Sequence, residues 1–146
     1  MATYGVAYEN SYHDSYMTPK QAWLDINKYI PKDKKIWECF YGDGTSGDYL
    51  KEMGCDILHE PIDFFKSNPD CDMLLSNPPY SDLKNILPRL AEIDKPFIML
   101  MPCSKINTQY FRKSFLNKGI QIIVPKKRIN FIKIVDGKVD KTATGS

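Results

Sequence analysis

The chain has 146 residues, 42% of them hydrophobic and 26% charged, which suits one domain with a real core and argues against disorder. No apolar run approaches the roughly 18 residues of a membrane helix, so no membrane partner is expected. The net charge of +2 is too small to argue by itself for a nucleic-acid partner.

The opening stretch, MATYGVAYENSYHDSY, is polar and aromatic, unlike a signal peptide. Tyr4, Tyr8, Tyr12 and Tyr16 are spaced by four, but Gly5, Asn10, Ser11 and Asp14 oppose a stable helix, so residues 1–16 read as an arm. The remainder, 17–146, reads as one domain. Thr18 is placed to cap a helix with Pro19 at its first position, and Ala22, Trp23, Ile26, Tyr29 and Ile30 recur at helical spacing up to Pro31. KIWECF (35–40) is a predicted strand, followed by the loop YGDGTSG. Asp48–Met53 is a short predicted helix with Gly54 as its stop, and CDILH and DMLLS are predicted strands. Ser81–Glu92 has helical character, with Pro88 expected to break or kink it. FIMLM (97–101) is a fully apolar predicted strand, Asn107–Asn117 a predicted helix followed by Gly119, and IQIIV (120–124) a further predicted strand. In the last segment, Asp136-Gly137 between two β-prone runs is a type I′ hairpin signal.

Strands alternating with helices imply a mostly parallel sheet covered on both faces, an α/β Rossmann-like fold. Four cysteines, Cys39, Cys55, Cys71 and Cys103, form no C-x-x-C pair, and His13 and His59 are the only histidines, so no metal site is expected. Reduced, mostly buried thiols in a cytosol-like compartment fit this pattern. From Lys126 onward, Lys126, Lys127, Arg128, Lys133, Lys138 and Lys141 outnumber Asp136 and Asp140; such a cluster is more often a solvated face than a phosphate-binding one.

In a parallel sheet ligands bind beyond the carboxyl ends of the strands, so the loops holding YGDGTSG and NPPY are expected to open on one site. Gly42, Gly44 and Gly47 suit close approach of backbone to a ligand, but the loop matches neither G-x-G-x-x-G nor a P-loop, which disfavours a dinucleotide or ATP. Glu60, near the end of the second strand, is placed to accept from ribose hydroxyls. Asp63 is placed to accept from an exocyclic amine, with a phenylalanine of IDFF against a ring.

The stretch Asn77-Pro78-Pro79-Tyr80 ends an apolar strand, because two prolines cannot continue a ladder. It presents an amide and a phenol. The amide oxygen of Asn77 and the carbonyl of Pro78 can accept the two hydrogens of a planar amine, a poor nucleophile, and raise its charge density. The prolines stiffen the turn, and Tyr80 offers a flat face for stacking. Such a site works by positioning and electrostatics on an electrophilic sulfonium methyl held over the first loop.

NPPY after an apolar strand, with ECFYGDG and YMTP before it, resembles the class I S-adenosylmethionine-dependent N6-adenine methyltransferases, most closely the small viral and phage-type enzymes. The resemblance spans roughly Tyr16–Val124. It implies that Thr18 and Pro19 contact the methionine end of the cofactor. Glu38, Phe40, Gly42 and Gly44 match the cofactor loop, with Cys39 in place of a usual proline. Glu60 takes the ribose and Asp63 the adenine amine, an assignment that the short interval between them allows to exchange, with Phe64 or Phe65 against the ring. Asn77, Pro78, Pro79 and Tyr80 form the motif that holds the target amine. The implied fold is the class I methyltransferase fold, the cofactor S-adenosyl-L-methionine, the substrate DNA, and the compartment the cytosol or that of a host cell.

The C-terminus departs from the family, whose members continue into another strand of the sheet: either the Asp136-Gly137 hairpin replaces it or the chain is truncated and works with a partner subunit or as a homodimer. RNA adenine and a protein glutamine amide are alternative substrates for the same motif. An inactive cofactor-binding scaffold is the alternative outside catalysis. Because the target base must leave its stack, flipping or single-stranded substrate is expected.

Overall fold

The computed structural model describes residues 16–135 and 138–145. The expected arm lies outside the described residues up to residue 15, and the expected boundary at 16/17 falls inside the first strand, β1 (Tyr16–Met17). Helix α1 (Lys20–Asp25) follows, then β2 (Lys35–Trp37), α2 (Thr45–Glu52), β3 (Asp56–Leu58), β4 (Met73–Ser76), α3 (Leu83–Ile93), β5 (Phe97–Met99), α4 (Gln109–Phe115), β6 (Phe131–Val135) and β7 (Lys138–Gly145).

Four of these strands form an all-parallel sheet in the order β3-β2-β4-β5. Ile36 sits opposite Ile57 and Met73, and Trp37 opposite Leu58 and Leu74, so side chains of adjacent strands alternate in step. Ile36, Met73 and Leu75 join Trp23 of α1 and Leu50 of α2 in one core cluster. Trp37 and Leu74 join Leu83, Ile86, Leu87 and Leu90 of α3 and Phe115 of α4 in the other. Helices therefore cover both faces, and β4, buried at all four positions, reads as an unbroken apolar run for that reason. The architecture is compatible with a Rossmann-like α/β fold. No helix among the described residues is long and apolar enough to cross a membrane.

Local chemistry explains the helix ends. Gly54 adopts φ +89°, its N–H donates to Lys51 O at 3.0 Å, and the Cys55 N–H donates to Leu50 O at 3.1 Å, a Schellman motif that closes α2. Thr108 caps α4, its hydroxyl accepting from Phe111 N at 3.3 Å. Pro88 lies inside α3 without ending it: its exposed ring sits on the solvent side, while Ile86, Leu87 and Leu90 anchor the opposite side in the core.

Several sequence expectations need correction. Pro19, not Thr18, is the N-cap of α1, with extended backbone (φ −71°, ψ 151°), and the Thr18 hydroxyl, one residue before the cap, accepts from Asn77 Nδ2 instead. The apolar run 97–101 yields only the three-residue β5, which is half-buried because among the described residues it is a sheet edge. The expected strand IQIIV does not form; Ile122 and Val124 are 59% and 77% exposed, since β propensity without a ladder partner does not make a strand. The two C-terminal strands do pair antiparallel, with Val135 opposite Lys138, while Asp136 and Gly137 themselves lie outside the described residues. That hairpin pairs with β1 (Met17 opposite Ile132) in a separate sheet, so it does not extend the parallel one.

Candidate functional site

The chain runs from β2 to β3 on one side and then returns past β2 to β4 and β5 on the other. This reversal puts the topological switch point between the carboxyl ends of β2 and β4, where an open α/β sheet leaves a crevice. Glu38 follows β2 and Asn77 follows β4. The Glu38 N–H still donates to Leu58 O at 3.0 Å, so its backbone is held by the sheet.

Glu38 is 1% exposed. Its Oε1 accepts from Ser76 Oγ and from the Phe40 N–H at 3.4 Å, while its Oε2 is buried with no hydrogen-bond partner among the described residues. Desolvation pushes its carboxyl up to about 8, against the smaller opposing pull of the Ser76 and Phe40 hydrogen bonds. A positive charge placed beside the unpartnered Oε2 would oppose that rise and favour the carboxylate. Burial also pushes the neighbouring Cys39 thiol up, so it is an inert core group.

Asn77 donates from Nδ2 to Thr18 Oγ1 at 2.9 Å, and its Oδ1 is buried without a partner among the described residues. Thr18 is 4% exposed. Pro78 is buried and Pro79 half-buried, after which Tyr80 opens a single 3-10 turn that leads into α3. Tyr80 packs on the α3-side core, and burial pushes its phenol above its usual range, so it is an uncharged flat ring at any physiological pH. A cleft of about 420 Å³ lined by Phe65, Asp82 and Asn85 opens beside this turn.

The glycine loop closes over the same end of the sheet. Gly44 adopts φ +86° as the N-cap of α2, and a Cβ there would stand 2.9 Å from Tyr41 Oη. Gly42 lies beside Met17, the residue before Thr18, with a built Cβ 3.5 Å from Met17 Sδ. A Cβ on Gly47 would come within 2.1 Å of the His59 ring, so only glycine lets that ring lie on α2. His59 in turn stacks on Tyr41 (centroids 5.0 Å, 16° between planes) and faces Asp48 at 3.3 Å.

The structure thus links Thr18 to Asn77, Glu38 to Phe40 and to Ser76 beside Asn77, and Gly42 to Met17 beside Thr18, while Gly44 lies against Tyr41 and His59. Asp63 is buried, but its Oδ1 accepts from the Phe65 N–H at 2.9 Å and shapes the local turn. Glu60 is exposed, and its carbonyl accepts from the Ile62 N–H at 2.7 Å. Phe64 is 1% exposed, packed against Phe40 at 4.8 Å and Trp37 at 5.9 Å, and so belongs to the core; Phe65 is the ring that reaches the cleft. Sequence reading missed Ser76, Tyr41 and His59. A hydroxyl closing an otherwise apolar strand was a usable signal for Ser76; nothing local marked the stacked pair.

Compared with known proteins, the chain matches no family model, no curated protein and no solved structure.

Proposed function

We propose that this chain is an S-adenosylmethionine-dependent methyltransferase of class I architecture that methylates the N6 amine of adenine in DNA. One observation carries the reading. Two neighbouring strands end at the switch point in side chains, Glu38 and Asn77, that each keep a buried acceptor oxygen without a partner among the described residues. An unsatisfied buried acceptor costs about 1–3 kcal/mol, so a pair of them suits a ligand rich in N–H donors or positive charge. Such donors are present on a cationic amino-acid cofactor and on an exocyclic amine.

The residues fit that cofactor in kind: a buried acid for positive charge at Glu38, a glycine turn at Gly42 and Gly44, and the half-buried ring of Phe65. When bound, the cofactor supplies an electrophilic methyl. Asn77 Oδ1 and the Pro78 carbonyl then accept the two amine hydrogens, hold the nitrogen and favour the positive charge that grows on it as its lone pair is used. Tyr80, neutral and flat, stacks on the extruded base.

The test is transfer of labelled methyl to single- and double-stranded DNA oligonucleotides, with RNA and a glutamine-bearing release-factor substrate as competitors. Asn77→Ala is expected to lower kcat by about 100-fold or more, as for loss of one preorganised polar group. Undiminished transfer by that variant removes Asn77 from the mechanism, and preferential methylation of RNA or protein moves the substrate and keeps the chemistry.

A further inference from the structure

Exposed apolar side chains gather in one place on this fold. Leu116, Ile120, Ile122, Ile123 and Val124, exposed at 37–77%, all fall between residues 116 and 124, just after α4. Single exposed apolar residues need no explanation, but a contiguous run beside a groove does. The run begins in a groove of about 310 Å³, whose apolar wall is Ile106, Phe111, Phe115, Leu116 and Ile120. The floor is part of the core: Phe115 is 5% exposed and packs on Phe97 of β5 at 5.3 Å, with Phe111 edge-on to it at 5.1 Å.

Charge is as one-sided here as apolarity. Residues 95–135 carry nine lysines and arginines and no aspartate or glutamate, although the chain as a whole holds 18 acids. Arg112 and Lys118 stand in the groove wall itself. Lys118 already holds one carboxylate at the rim, that of Asp94 at the end of α3. Arg112 reaches Asn107 Oδ1 at 3.5 Å and pairs with no carboxylate among the described residues.

We propose that this groove docks a segment of a protein partner that offers one or two large apolar side chains flanked by aspartate or glutamate. The apolar side chain enters the recess, and the carboxylates meet Arg112 and its basic neighbours at the rim. Shape decides against the other polyanions. A sugar-phosphate backbone has nothing to set against Leu116 and Ile120, and a bilayer surface receives a projecting apolar face rather than a recess. The groove shares no residue with the candidate site, so the proposal stands independently of the methyltransferase reading.

The experiment pans a phage-displayed library of random peptides on the whole immobilised chain, then measures the selected peptides, fluorescently labelled, by anisotropy. Selected sequences are expected to combine leucine, isoleucine or phenylalanine with aspartate or glutamate, and to bind more weakly as salt rises. Leu116→Ser, at a position 77% exposed, leaves the core intact and should weaken binding about tenfold; Arg112→Gln should weaken it about threefold or more. Exchanging the acids of a selected peptide for their amides should also cost about tenfold. A library that yields no specific binder, binders whose affinity survives both substitutions, or binders indifferent to the amide exchange overturn the proposal. Binding of a DNA oligonucleotide or of phosphatidylserine vesicles that Leu116→Ser abolishes overturns it too, and gives the groove to nucleic acid or to a membrane.

Discussion

Glu38 is a carboxyl with almost no exposure to water. Its carboxyl is pushed up to about 8 by desolvation, from an ordinary value near 4.5. Between those values the folded chain keeps a proton that the unfolded chain has lost, so the folded state binds more protons. Its contribution to stability is thus fully present below about 4.5 and is lost as pH rises through about 8, with a slope of up to about 1.4 kcal/mol per pH unit. Glu38→Gln, which keeps the shape and cannot ionise, should flatten that slope in urea melts taken from pH 5 to 8. A slope unchanged by the substitution would assign the dependence to another group. The same residue scale separates Phe64 from Phe65: both stand in one aromatic run, and only packing against Phe40 and Trp37 decides which ring is lost to the core.

At the scale of elements, α3 carries a sequence conflict that tertiary contact resolves. Pro88 lacks the N–H that would bond the Lys84 carbonyl, and proline inside a helix costs up to about 3 kcal/mol. Burial of Leu83, Ile86, Leu87 and Leu90 outweighs this, since each such side chain is worth about 2–5 kcal/mol by truncation to alanine. Pro88→Ala should therefore stabilise the fold, by about 1–2 kcal/mol after the gain in unfolded-state entropy is subtracted, read as a raised denaturation midpoint with unchanged m value. The opposite case is IQIIV, where local preference for a strand is strong and no strand among the described residues receives it. Hydrophobic period reports which residues prefer to be buried; it does not report whether a neighbour exists to bury them.

At the scale of the molecule, the basic run Lys126-Lys127-Arg128 is exposed, and on the proposed function it would lie free to meet phosphates. Replacing all three with alanine is expected to weaken DNA binding and to reduce the slope of log affinity against log salt by roughly 2–3, about 0.9 for each phosphate no longer neutralised. An unchanged slope would make the run a solvated face only. Read alone, the sequence determined the alternation of strands and helices, the stop at Gly54, the abrupt strand end at Asn77-Pro78 and the residue types offered there. These are legible because they depend on local sterics and short periods. Only the tertiary structure decided that β2 and β4 are neighbours, that Glu38 meets Ser76, that Thr18 holds Asn77, and that the C-terminal hairpin pairs with β1. Those facts join residues tens of positions apart, and strand order and side-chain partners follow from how the whole core closes rather than from any window of the chain.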